Sequence, residues 1–136
     1  MSDTPLLFVY GSLMHSIPQG MGNLLSPSEF QGEGWIQARL FFLGSYPGAV
    51  ASPDRSHRVR GELYQLLDPM PTLARLDRYE GCGPSGSTGC EYERVRMPVA
   101  LFATEKVIES WVYLYCLETA GLPCIEAGDY RRYLLR

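Results

Sequence analysis

The sequence predicts an α+β domain, and three observations carry that prediction. Apolar, branched and aromatic runs recur at strand length, from Leu6 to Tyr10, from Gly34 to Leu43 and from Gly61 to Leu66. A stretch with helical spacing follows them, from Asp68 to Glu80. The chain of 136 residues, 46% hydrophobic and 20% charged, suffices for one domain whose core needs neither metal nor disulfide.

The charge balance narrows the partners. A formal net charge of -3 lacks the basic footprint that phosphate backbones or anionic membrane surfaces require, so neither nucleic acid nor membrane is expected. A small ligand is. No basic region precedes the first apolar run, and no apolar stretch approaches the roughly 18 residues of a membrane span, which makes cytoplasm the expected location. Of the four cysteines, Cys116 sits in an apolar run and reads as core, Cys82 and Cys90 bracket a glycine-rich loop and can pair on oxidation, and Cys124 follows Pro123 in a turn. None has metal-knuckle spacing, and His15 and His57 stand alone, so no metal is expected.

Taken in order, Leu6 to Tyr10 reads as a strand buried on both faces. Gly11 and Ser12 end it. A glycine there admits dihedrals closed to other residues, and successive N–H groups with the Ser12 hydroxyl can form a concavity for a carboxylate or a developing oxyanion. Ser16 to Phe30 reads as a short helix and turns. Gly34 to Leu43 makes one or two strands ending at Gly44-Ser45, and Tyr46-Pro47-Gly48 makes a turn. The Tyr46 ring has no part in turn-making and can either pack or line a pocket. Ser52 to Arg60 is basic and polar, an exposed hairpin tip. Gly61 to Leu66 alternates, with Leu63 on one face and Glu62 and Tyr64 on the other.

Asp68 caps a helix whose first turn tolerates Pro69 and Pro71. Leu73, Leu76 and Glu80 then share one face, and Gly81 is a left-handed stop. Two core-facing leucines thus carry a carboxylate with them to the helix's partially negative end, where an anion is disfavoured. Burial and the helix end would both raise its pKa toward the range of a general base. The structural alternative turns Glu80 to solvent or pairs it with Arg75, Arg78 or Arg94.

Two separated motifs carry a resemblance. Tyr10-Gly11-Ser12-Leu13 after the first strand, and Leu76-Asp77-Arg78-Tyr79-Glu80-Gly81 followed by Tyr92-Glu93-Arg94-Val95, resemble the signatures of the gamma-glutamylcyclotransferase-like family. The resemblance spans nearly the whole chain. It implies a small mixed β-barrel with a few short flanking helices, in which the strand from Gly61 pairs with the first strand. Further strands run from Tyr92 to Val99 and from Val107 to Leu117, and a helix around Asp129 to Leu135 packs Tyr130, Tyr133 and Leu134 on the barrel. The implied reaction is attack of a gamma-glutamyl amide's own α-amine on its carbonyl, releasing 5-oxoproline and an amine or amino acid. Glu80 is then the catalytic acid and base. Tyr10, Gly11, Ser12 and Leu13 bind substrate, with Tyr46 and Tyr115 as further candidates for the pocket wall, and no cofactor is called for. Asp77 lies in the second motif but suits a helix-surface or capping role.

Two features depart from the pattern. The loop from Cys82 to Cys90 is long and rich in glycine, a lid or an insertion. Pro98 removes a backbone donor, so its strand borders the sheet or ends there. Glu109 and Ser110 read as the solvent-facing start of the following strand. Ser12 as a hydrolase nucleophile is disfavoured because no GxSxG elbow or recognisable triad spacing accompanies it. The rival from another class is a binding module that keeps the cavity without turnover, and a thiol switch through Cys82 and Cys90 is a third reading.

Overall fold

Leu6–Val9 (β1) is the strand from which the sheet is assembled. In this computed structural model, which describes residues 5–11, 14, 22–79 and 91–134, β1 pairs antiparallel with Arg58–Leu66 (β4) and parallel with Val107–Tyr115 (β6). β4 pairs in turn with Ser28–Phe42 (β2), and β6 with Tyr92–Leu101 (β5). β5 then meets β2 through Gly34 opposite Leu101 and Trp35 opposite Ala100. The strands β2, β4, β1, β6 and β5 close into a mixed barrel, as expected.

Pro47–Ala51 (β3) lies outside the ring. β2 is long enough to serve two partners: Ser28 to Gln37 line up with β4, and Ala38 to Phe42 with β3. A bulge between Phe30 and Gly32 bends its first part. Pro69–Tyr79 (α1) and the short Tyr130–Leu134 (α2) flank the barrel, with a 3-10 turn at Gly22–Leu25.

Register explains which side chains fill the interior. Residues opposite one another in a ladder share a face, so Phe8, Leu63 and Val112 meet inside, at 1%, 0% and 0% exposure. Their neighbours Leu7, Val9 and Tyr113 point the other way and are also buried. Asp77 of α1 holds Arg94 and Tyr113 on that outer face. β1 is therefore covered on both sides, and its continuous apolar run reflects this.

Several expectations are corrected. The turn spans Leu43 to Tyr46, where the Leu43 N–H donates to the Tyr46 carbonyl, and Pro47 and Gly48 open β3. Residues 52–57 connect β3 to β4, but both strands pair with β2 and not with each other, so no hairpin forms. The arginines beyond that connection are engaged locally: Arg58 stacks over Trp35 at 4.0 Å, and Arg60 pairs with Glu33 at 2.7 Å. Ser110 is buried rather than solvent-facing, because alternation along β6 places it with Val112. Cys116 is exposed, since pairing ends at Tyr92 opposite Tyr115 and leaves it beyond the barrel rim. Leu134 is 46% exposed: α2 has five residues, and only its Tyr130 and Tyr133 edge rests on the barrel.

Pro98 pairs with Glu109 of β6 on one side only, because the β2 contact is confined to Ala100 and Leu101. The missing donor thus falls where the ring is open. Among the described residues no helix is long and apolar enough to cross a membrane, and no group of three or more His, Cys, Asp or Glu could hold a metal ion. Cys82, Cys90 and Gly81 lie outside the described residues.

Barrel closure depends on a close backbone approach. A Cβ added at Gly34 would stand 2.5 Å from the Ala100 carbonyl oxygen, and backbone cannot yield as a side-chain tip can. Gly34→Ala is expected to lower stability by about 1–3 kcal/mol, read as a lower urea midpoint with the slope unchanged. An unaltered midpoint would mean that the β2–β5 junction is not a closed one.

Candidate active site

The C-terminal end of β1 opens into a cavity of about 200 Å³. Phe8, Val9, Tyr10 and Gly11 form one wall, Tyr46 and Pro47 a second, and Tyr79, Glu91, Tyr92 and Tyr113 the remainder. Four separate parts of the chain converge there: the exit of β1, the entry to β3, the end of α1 and the β5–β6 ladder. The lining is largely aromatic with a few polar handles, the usual character of a small-molecule site.

Each tyrosine has a distinct task. The Tyr10 hydroxyl donates to the Tyr113 carbonyl at 2.6 Å and accepts from the Ala49 N–H at 3.0 Å, which ties the end of β1 to β6 and β3 at once. Tyr92 donates to the Pro47 carbonyl at 2.6 Å. Tyr46 donates to Glu91 Oε2 at 2.5 Å. Tyr113 donates to Asp77 Oδ1 at 2.5 Å, and the same carboxylate receives Arg94 through Nε at 3.0 Å and Nη2 at 3.2 Å. A fork of this kind fixes a carboxylate firmly because both of its oxygens are engaged. Asp77 is thus an internal strut, about a quarter exposed, rather than a surface or capping residue.

Gly11 is needed for space and not for an unusual dihedral. Its φ lies outside the left-handed region, whereas a Cβ there would stand 2.9 Å from Pro47 Cγ. Gly48 is similar: a Cβ would meet Tyr115 Cβ at 2.8 Å. The two glycines let β1's exit, β3 and β6 crowd together at one end of the barrel.

Of the residues singled out from the sequence, Tyr10, Gly11 and Tyr46 border this one cavity. Tyr115 is not among its described lining; its ring packs edge-on against Tyr92, centroids 5.7 Å apart. Ser12, Leu13 and Glu80 lie outside the described residues. Tyr79, the residue before Glu80, lines the cavity. Arg75, one of the arginines offered as a structural partner for Glu80, donates instead to the carbonyls of Leu24 and Ser26.

Sequence reasoning missed Glu91, Tyr92 and Tyr113 as cavity residues. Their signal is tertiary: Tyr92 joins the site only through the ladder that sets it opposite Tyr115. Asp77 had a partial signal, since it lies four residues after core-facing Leu73 and hence near the buried face.

The clamp at Tyr10 yields a test. Tyr10→Phe keeps the ring but removes the acceptor of the Ala49 N–H and the donor to the Tyr113 carbonyl, both buried. A loss of about 1–3 kcal/mol is expected by chemical denaturation. A loss within experimental error would show that the hydroxyl does not tie these strands together.

Comparison with known proteins places this geometry. The family model described as gamma-glutamyl cyclotransferase, AIG2-like, matches residues 7–132. An Escherichia coli K12 protein named gamma-glutamylcyclotransferase family protein YtfP is 33% identical over 127 residues, which cover 91% of this chain and 94% of that one. A Bos taurus protein named gamma-glutamylaminecyclotransferase is 30% identical over 136 residues, covering 90% of this chain and 74% of its own. The crystal structure of an AIG2-like protein from Mus musculus shares the fold, with a TM-score of 0.72 at 24% identity over 95% of this chain and 89% of that one. A match from the first strand to the last helix, with relatives of like extent, leaves one conclusion: the chain belongs to the gamma-glutamyl cyclotransferase, AIG2-like family.

Proposed function

We propose that the protein cleaves a gamma-glutamyl amide by intramolecular attack of the substrate's α-amine, releasing 5-oxoproline and an amine or amino acid, with Glu80 as general acid and base. The observation that carries this reading is the cavity at the exit of β1, bordered by Tyr10 and Gly11 from one signature and by Tyr79 from the other. Family membership supplies the reaction class.

The chemistry needs no nucleophile from the protein. The α-nitrogen forms a bond to the γ-carbonyl carbon, the amide C–N bond breaks, and two protons pass from the α-ammonium to the departing nitrogen, which leaves as an ammonium. Water is not consumed and nothing is oxidised. The protein's first contribution is to hold the substrate curled, and positioning of this kind can be worth several kcal/mol.

Its second is proton transfer. Glu80 directly follows Tyr79, the last residue of α1 and part of the cavity wall. A carboxylate at that position can take a proton from the ammonium and pass it to the leaving nitrogen, a contribution of roughly 10² to 10⁴ in rate. The third contribution is stabilisation of negative charge. N–H groups of the bend from Tyr10 to Leu13, together with the Ser12 hydroxyl, would hold the substrate carboxylate or the tetrahedral oxyanion.

The purified protein is expected to release 5-oxoproline from a member of a panel of gamma-glutamyl amino acids, gamma-glutamyl amines and glutathione. Glu80→Gln should lower kcat/KM at least ~10²-fold while the protein still binds substrate. Turnover undiminished in that variant would remove Glu80 from the mechanism, and binding without turnover across the panel would make the protein a binding module instead.

A further inference from the structure

The cavity wall carries its charge at one place. Among its described lining residues, Glu91 is the only one charged at neutral pH, the others being apolar or tyrosine. Behind the wall, Arg94 forms a pair with Asp77. The stretches adjoining the described wall in the chain, 12–21 and 80–90, contain no lysine or arginine. They do contain a further carboxylate, Glu80.

Depth separates the wall into a floor and a mouth. Tyr92 and Tyr113 are 4% and 3% exposed, whereas Tyr46 is 37% and Tyr79 is 41% exposed. Glu91 belongs to the mouth through its bond from Tyr46. A phenol donating to a carboxylate orients it and leaves its charge intact, and the second oxygen keeps its acceptor capacity.

We propose that Glu91, held by Tyr46, is a specificity-determining residue that favours gamma-glutamyl amides whose leaving amine carries a second, cationic nitrogen over those whose leaving amine carries a carboxylate. The inference rests on the cyclotransferase reading given above. With the reacting amide toward the floor, the far end of the leaving group reaches the mouth. An ammonium there meets a carboxylate and the faces of Tyr46 and Tyr79, while a carboxylate meets a like charge and no cation among the described lining residues. The mouth is open to solvent, so salt screens the effect and keeps it modest.

The test uses three gamma-glutamyl amides of equal length whose leaving amines end in an ammonium, a methyl or a carboxylate group. In the native protein the ammonium compound is expected to exceed the carboxylate compound about tenfold in kcat/KM. High salt should compress that ratio, and in Glu91→Gln it should fall below about threefold. The ratio isolates charge, because a merely structural role for Glu91 would depress all three compounds together. Turnover of all three at equal kcat/KM, or a native ratio that survives in Glu91→Gln, overturns the role of Glu91 and leaves the reaction standing. The latter result is also expected if Glu91 instead meets the substrate's own α-ammonium. Should none be turned over, the reaction reading fails and calorimetric Kd values for the same compounds decide the matter. The same ordering, lost in Glu91→Gln, would support the charge preference, and equal or absent binding would overturn it.

Discussion

The double burial of β1 is the constraint on which the rest of the structure depends. A strand of four residues cannot hold a fold together by its own hydrogen bonds. It does so here because β4 lies on one edge and β6 on the other, with the barrel interior below and the outer apolar layer above. Parallel pairing with β6 is what makes the barrel mixed, and parallel neighbours must be reached by a long crossover. The chain between β1 and β6 supplies every other strand of the sheet. With both edges of β1 taken, the chain that leaves it at Tyr10 emerges at a fixed point, beside Tyr113 on β6 and Ala49 on β3.

Function follows from that fixed exit. The Tyr10 hydroxyl bridges two strands, Gly11 leaves room for Pro47, and Gly48 leaves room for Tyr115. The Asp77 carboxylate then ties the last turns of α1 to Arg94 and Tyr113. The described cavity wall is thereby mounted on elements that packing holds still, a requirement for any site that works by positioning. Two tyrosine–carboxylate pairs flank the cavity, one internal at Asp77 and one at the mouth at Glu91, and they have different consequences. The first is neutralised by Arg94 and is structural. The second stands at the mouth, with no cation among the described lining residues beside it.

Much of this was legible in the sequence, for identifiable reasons. The strands β1 and β4 announced themselves through an apolar run and alternation, α1 through its cap and periodic leucines, and β5 and β6 through the family resemblance. Proline and glycine misled at positions 47 and 48, where turn-forming residues open a strand because close packing, not backbone freedom, selects them. Gly11 taught the same lesson at the site itself. Ser110 was misread because polarity outweighed parity, and Cys116 because the run of apolar letters continued past the last ladder pair. Glu91 and Asp77 stayed hidden because their partners, Tyr46, Arg94 and Tyr113, are distant in sequence and are brought in by register alone.

The most direct measurement of the central claim is a crystal structure of the Glu80→Gln protein with an unreacted gamma-glutamyl amide. A ligand curled between Gly11 and Tyr79 is expected, its carboxylate on the N–H groups of the bend and residue 80 within hydrogen-bond reach of its α-nitrogen. A ligand bound elsewhere on the barrel, or a side chain at position 80 turned away from it, would contradict the account.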